Sequence, residues 1–272
     1  MGRMAKPGDE FSTDRGVHVR LIDKIDRIKK MSFVQVRRLF AALSPESPVY
    51  IFHHIPKCGG TSLLQVLDKW FVTIKDYRYG WTMDYPKKVE INRLRSAHCL
   101  CGHYELDGYY LHQRYPEVLI SDKFKLFTFI RDPLQIRLSL YRFEKKNNVG
   151  KSGNIEEYLF NRLNYMANRF PATRENYKEV VDRYFFIGIL EEGQASLNFL
   201  ARLIGKKAHK MPCVNRTERD GVSDIERLPK ELVKRFREEN AIDYLIYEYC
   251  LKKFTISLAK QDTARERSMV RR

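Results

Sequence analysis

The run from Val49 to Phe71 constrains this chain most. VYIFHHI at 49–55 is short and mostly apolar, which predicts a buried strand, and TSLLQVLDKWF at 61–71 carries its apolar residues at helical spacing. Between them lies Pro56-Lys57-Cys58-Gly59-Gly60. A strand, a tight loop with two glycines and a helix opening on Thr61-Ser62 points successive backbone N–H groups at an anion. Gly59 and Gly60 allow close backbone approach, Lys57 supplies a mobile cation, and the Thr61 and Ser62 hydroxyls can cap the helix or donate to an oxygen. The nucleotide-binding pattern G-x-x-x-x-G-K-[ST] is absent, because here the lysine precedes the glycines, and this disfavours a standard Mg²⁺-dependent nucleoside triphosphatase.

A second constellation lies at 124–146. FKLFTFI reads as another buried strand, followed by Arg131-Asp132-Pro133 and the helical run LQIRLSLYRFEKK, with Pro133 suited to the helix's first turn. This sets Arg131 at the carboxyl end of a strand, where open α/β sheets bind ligands, with Ser139 on the next helix and Arg137 and Arg142 nearby in sequence. An arginine fork and a hydroxyl suit a second phosphate.

I-P-K-C-G-G-T-S at 55–62 resembles the 5′-phosphosulfate loop of the sulfotransferases, in the branch related to heparan sulfate 2-O-sulfotransferases. R-D-P followed by Ser139 and Tyr141 is similar to that family's 3′-phosphate site, and FIGILEEGQASLNFLARLIG at 186–205 is similar to its strand, glutamate and helix segment. The resemblance spans about residues 49–250. It implies an α/β fold: a single P-loop-like domain with a central, mainly parallel sheet flanked by helices. It also implies 3′-phosphoadenosine 5′-phosphosulfate as co-substrate, the 3′,5′-bisphosphate as product, and no metal. Lys57, Cys58, Gly59, Gly60, Thr61, Ser62, Arg131 and Ser139 then become the donor-binding residues. Two positions depart from the family pattern: Cys58 stands where many relatives carry Thr, and Ile136 where many place a second Arg.

The chemistry requires a base, and His98-Cys99-Leu100-Cys101-Gly102-His103 supplies candidates. By resemblance to the Gly-His element after the second strand of related enzymes, the catalytic base is His103, with Lys57 stabilising the leaving oxygen. A near-neutral imidazole accepts a hydroxyl proton well, worth about 10² to 10⁴ in rate. A structural histidine at a strand end is the competing reading. A metal site is disfavoured, because in a strand 99, 101 and 103 share one face while His98 points to the other, and no second Cys/His pair stands at zinc spacing. His53 and His54 adjoin the loop, one toward the core and the other toward the site, and neither is assigned a catalytic role. Asn164 and Arg169, in a helical stretch before Pro171, resemble a segment lining the acceptor side, with a solvated helix face as the plainer account. The Asn215-Arg216 loop is expected to close over the nucleotide, and the sequon it opens reads as incidental.

Fifty Lys and Arg against 34 Asp and Glu give a formal charge of +16, which concentrates polyanions near the surface. An acidic glycan suits this balance; a neutral saccharide, glycolipid or other hydroxyl-bearing acceptor also fits the family, and no nucleic-acid partner is expected. Residues 1–16 are polar. Residues 17–44 read as an amphipathic basic helix ending at the Ser44-Pro45-Glu46-Ser47-Pro48 breaker, suited to packing on its own domain, on a second copy of the chain or on a membrane surface. The catalytic domain is expected at 45–258 and a polar basic tail at 259–272. Five cysteines, an odd number in a chain this large, point to a reducing compartment, and neither a signal core nor a membrane-spanning run is evident. The expected setting is a bacterial cytoplasm, with a Golgi-type luminal domain lacking its anchor as the alternative. Two other classes stay open: a P-loop kinase using ATP and Mg²⁺, and a non-catalytic polyanion-binding protein.

Overall fold

The computed structural model describes residues 48–80, 82, 84–149, 153–212, 225 and 227–270, with side chains through 260. In chain order the elements are β1 (Val49–His53), α1 (Gly60–Trp70), β2 (Val72–Lys75), β3 (His98–Gly102), α2 (Leu111–Arg114), β4 (Phe124–Ile130), α3 (Pro133–Lys146), α4 (Ile155–Phe160), α5 (Tyr165–Arg169), α6 (Tyr177–Asp182), β5 (Phe186–Ile189), α7 (Gly193–Leu203), α8 (Lys230–Glu239) and α9 (Ala241–Val270). The five strands form one parallel sheet ordered β2-β3-β1-β4-β5. The expected amphipathic helix at 17–44 and the Asn215-Arg216 loop lie outside the described residues.

Parallel strands are covered on both faces and so read as continuous apolar runs, which is the character of VYIFH and FKLFTFI. Alternation along each strand feeds two cores. Phe52, Cys99, Cys101, Phe127 and Phe129 pack with α1 and α7 on one face, while Val49, Ile51, Leu100 and Leu126 pack with Leu111 and Tyr115 on the other. Register pairs Ile51 with Leu100 and with Leu126, so β1 sits between β3 and β4. The chain reverses its strand order at β1, and in such sheets ligands bind beyond the carboxyl ends of the strands flanking the reversal.

Two features depart from the sequence expectation. Strand β2 was not anticipated: VTIK is half-exposed at the sheet edge, and no breaker separates it from α1. It leads directly into Asp76, fully buried, whose carboxylate receives Arg114 Nε and Nη2 at 2.7 and 2.9 Å and the Tyr115 hydroxyl at 2.6 Å. The segment from 259 onward, expected as a polar basic tail, is helical as far as Val270. Helix α9 continues to Val270, since AKQDTARERSMV holds no Gly or Pro to stop it.

Candidate active site

The carboxyl ends of all five strands open into a cleft of about 1030 Å³. Lys57, Gly59, Gly60, Thr61, Ser62, His103, Arg131 and Ser139 all line it.

The loop after β1 is shaped by its backbone. Lys57 and Gly59 adopt left-handed conformations, φ 67° and 78°. Between them the Cys58 N–H donates to the Ile55 carbonyl at 3.3 Å, closing the turn. Helix α1 begins at Gly60 with no side chain capping its N-terminus, and Gly60, Thr61 and Ser62 line the cleft at the positive end of the helix dipole. A Cβ at Gly60 would fall 1.7 Å from His54 Nε2, so this position admits only glycine unless His54 moves. Lys57 Nζ stands 4.2 Å from the centre of the Phe143 ring, which holds the ammonium at the cleft wall. Burial, reinforced by Arg131 and Arg142, lowers its pKa, a concentration of positive charge that suits an anion.

Beyond β4, Asp132 caps α3 by accepting the Gln135 N–H at 2.9 Å, with Pro133 following it as expected. This anchors Arg131, whose side chain is 15% exposed and lies between Gln135 Oε1 at 3.3 Å and Glu191 Oε1 at 4.0 Å. Ser139, two turns along the same helix, faces the same cleft. Arg137 does not join them. It is 1% exposed, stacks on Tyr158 and donates to the Tyr158 carbonyl and to Asn161 Oδ1 at 2.6 Å, so it is a packing residue. Ile136, where a second arginine is common among the resembled enzymes, is fully buried. Arg142 lines the cleft instead.

His103 follows β3 directly. Its side chain is 29% exposed, and its Nδ1 lies 4.0 Å from Glu105 Oε1. Burial, then Arg169 and Arg78, lowers its pKa to about 3, so the imidazole is neutral at physiological pH and able to accept a proton. Glu105 is in turn held by Arg78 Nε at 3.1 Å and approached by Arg169 Nη2 at 3.9 Å. The cleft near His103 also carries Tyr77, Arg78 and Tyr165, and Arg162 lines the cleft as well. None of these was singled out from the sequence, since they sit on separate segments with no motif of their own. His54 also lines the cleft, while His53 is fully buried against Tyr184 at 2.7 Å.

Three expected site residues stand elsewhere. The Cys58 side chain turns into the core and burial raises its thiol pKa, so the loop uses this residue for shape rather than as a side-chain ligand. Asn164 is neither a cleft residue nor a solvated one. Its side chain accepts the Ile242 N–H at 3.1 Å and donates to the Glu239 carbonyl at 3.3 Å, tying α5 to the junction of α8 and α9. Arg169 is buried behind the cleft wall over the Tyr165 ring, donating to the Tyr165 carbonyl at 2.8 Å; it acts on the site through Glu105 and through its charge near His103. Among the described residues, no group of three or more His, Cys, Asp or Glu could hold a metal ion, and no helix is long and apolar enough to cross a membrane.

The fold is one that sulfotransferases have. The mouse sulfotransferase SULT7A1 complexed with PAP superposes at a TM-score of 0.50 with 13% identity, over 77% of this chain and 90% of that chain. A sulfotransferase from Alicyclobacillus acidocaldarius gives a TM-score of 0.42 and 14% identity, over 74% of this chain and 96% of that one. No protein-family model matches the chain, and no curated protein matches it.

Proposed function

We propose that this protein is a sulfotransferase that moves a sulfuryl group from 3′-phosphoadenosine 5′-phosphosulfate to an acceptor hydroxyl. One observation carries the reading: a single cleft gathers two anion-binding elements from distant parts of the chain, the loop at Lys57–Ser62 and the Arg131/Ser139 pair, with a neutral histidine beside the first. A donor bearing a 5′-phosphosulfate and a 3′-phosphate requires two such elements. The residues fit it: the uncapped helix and Lys57 suit the first group, and Arg131 with Ser139 suits the second.

In this mechanism the acceptor oxygen attacks sulfur, and a new O–S bond forms as the bond from sulfur to the 5′-phosphate oxygen breaks. The electron pair passes to that oxygen, where Lys57 stabilises it, and the acceptor proton passes to His103. Burial is the first cause of the lowered His103 pKa, and the anionic donor offsets the second, the nearby charges of Arg169 and Arg78. No metal takes part. Arg78, Arg142 and Arg162 at the cleft wall, with the +16 charge of the chain, favour an acidic glycan as acceptor, in keeping with the resemblance to the heparan sulfate 2-O branch.

Labelled donor incubated with acidic, neutral and lipid-linked saccharides tests the reading. The wild-type protein labels an acidic saccharide, and His103→Ala lowers turnover by about 10²- to 10⁴-fold while binding the bisphosphate product normally. Full turnover by His103→Ala refutes the base, and preference for ATP with Mg²⁺ refutes the donor.

A further inference from the structure

Resting on the donor reading above, we propose that His54 is a further catalytic residue, whose Nε2–H donates to a sulfuryl oxygen of the donor, with Tyr77 as the residue that positions it. Register places the two histidines of the cleft side by side. His53 pairs with Gly102 across β1 and β3, and the His54 N–H continues that ladder by donating to the Gly102 carbonyl at 2.9 Å, so His54 stands next to His103. Their ring centres are 4.3 Å apart at an interplanar angle of 60°. On its other side the Nε2 edge of His54 rests over Gly60, close enough that a Cβ there would meet it at 1.7 Å. His54 therefore spans the interval between the loop suited to the donor's phosphate and the imidazole suited to the acceptor's proton. The sulfuryl group must cross that interval.

The Tyr77 hydroxyl lies 3.0 Å from His54 Nδ1, and burial raises the phenol pKa, so the group keeps its proton. A protonated phenol can donate to Nδ1 or accept from it, so the tautomer is chosen at the other nitrogen: a lone pair at Nε2 would repel the oxygens of an anion in the loop and an N–H attracts them, and with the proton on Nε2 the Tyr77 hydroxyl donates to Nδ1. His103 and Lys57 also face the His54 ring and, after burial itself, disfavour its protonation, so it acts as a neutral donor. The two rings thereby divide the work. His54, 7% exposed, is screened from the solvent side of the cleft, whereas His103 is open to an entering acceptor. The adjacent histidine His53, with its ring in the core, has no access to the cleft.

Calorimetric titration with 3′-phosphoadenosine 5′-phosphosulfate and, separately, with the 3′,5′-bisphosphate tests this, because only the first carries the sulfuryl group. His54→Leu is expected to lose about ten-fold in affinity for the phosphosulfate and less than about two-fold for the bisphosphate. His54→Gln, which restores an N–H near the ε position, recovers at least about three-fold of the loss. Tyr77→Phe removes one hydroxyl, tests the same point should His54→Leu not fold, and lowers the ratio of the two affinities by about two- to five-fold. An unchanged ratio in His54→Leu or Tyr77→Phe, or equal losses for both ligands, overturns the assignment to the sulfuryl group while leaving the donor reading intact. Wild-type protein that binds neither nucleotide overturns both.

Discussion

The two walls of the cleft are built in different ways. The wall suited to the donor comes from contiguous sequence: Pro56–Ser62 is one loop and helix start, and Arg131 to Ser139 is one strand end and the helix after it. The wall around His103 comes from pieces. Tyr77 and Arg78 follow the edge strand β2, Glu105 follows β3, and Tyr165 sits on α5, with Arg169 buried behind it. Backbone N–H groups can be aimed by local conformation alone, so an anion-binding wall is compact in sequence. A wall made of side chains must be assembled by tertiary pairings, so its integrity depends on residues remote from the cleft.

The largest expected effect probes that dependence. Asp76→Ala leaves Arg114 buried without its carboxylate, and removing one partner of such a pair costs about 3–5 kcal/mol. Urea unfolding should show this loss, and if the protein still folds, the environment of Tyr77 and His103 changes more than that of Arg131. A loss below about 1 kcal/mol would mean that the second wall does not rest on this pair. On the donor wall a local change should have a local result. Gly60→Ala forces His54 aside, an overpacking worth about 1–3 kcal/mol, and is expected to weaken bisphosphate binding by about ten- to a hundred-fold with a smaller loss of stability. Unaltered binding would show that the close approach at Gly60 is not used.

Acid provides a smaller, graded test. His53 and His103 have pKa values lowered to about 3, and His54 is also lowered, in each case chiefly by burial. Their folded-state values lie below the unfolded value of about 6.5, so the unfolded chain binds more protons below that pH. Stability is retained above pH 6.5 and falls as the pH drops toward 3, by up to about 1.4 kcal/mol per pH unit for each histidine. Denaturant midpoints at pH 7, 6 and 5 measure the slope; a midpoint that rises on acidification contradicts the burial of these rings.

The same contrast explains what the sequence made legible. Strands at 49–53 and 124–130 and the helix at 133–146 were readable, because apolar runs bounded by Gly, Pro and charged residues encode them locally, and the strand at 186–189 was expected through the resemblance of 186–205. Strand β2 was not, being short, half-exposed and continuous with the helix before it. Within the site, the glycines, Lys57, Arg131, Ser139 and His103 were anticipated and meet in one cleft, while Cys58 turned inward because β1 delivers the loop directly onto the core. Asn164 and Arg169 were misplaced for a shared reason. A polar residue on a short helix looks solvated until its partners are known, and those partners, around 239–243 and at Glu105, are far away in sequence.

In the proposed function the two anion-binding elements serve one donor molecule. Calorimetric titration of the 3′,5′-bisphosphate into wild-type protein and Arg131→Ala, with ATP and Mg²⁺ as the comparison ligand, tests it most directly. The expected result is preference for the bisphosphate over ATP and a loss of about ten- to a hundred-fold in Arg131→Ala, the effect of removing a charge-assisted contact to the 3′-phosphate. Equal binding by wild type and Arg131→Ala, or preference for ATP, would contradict it.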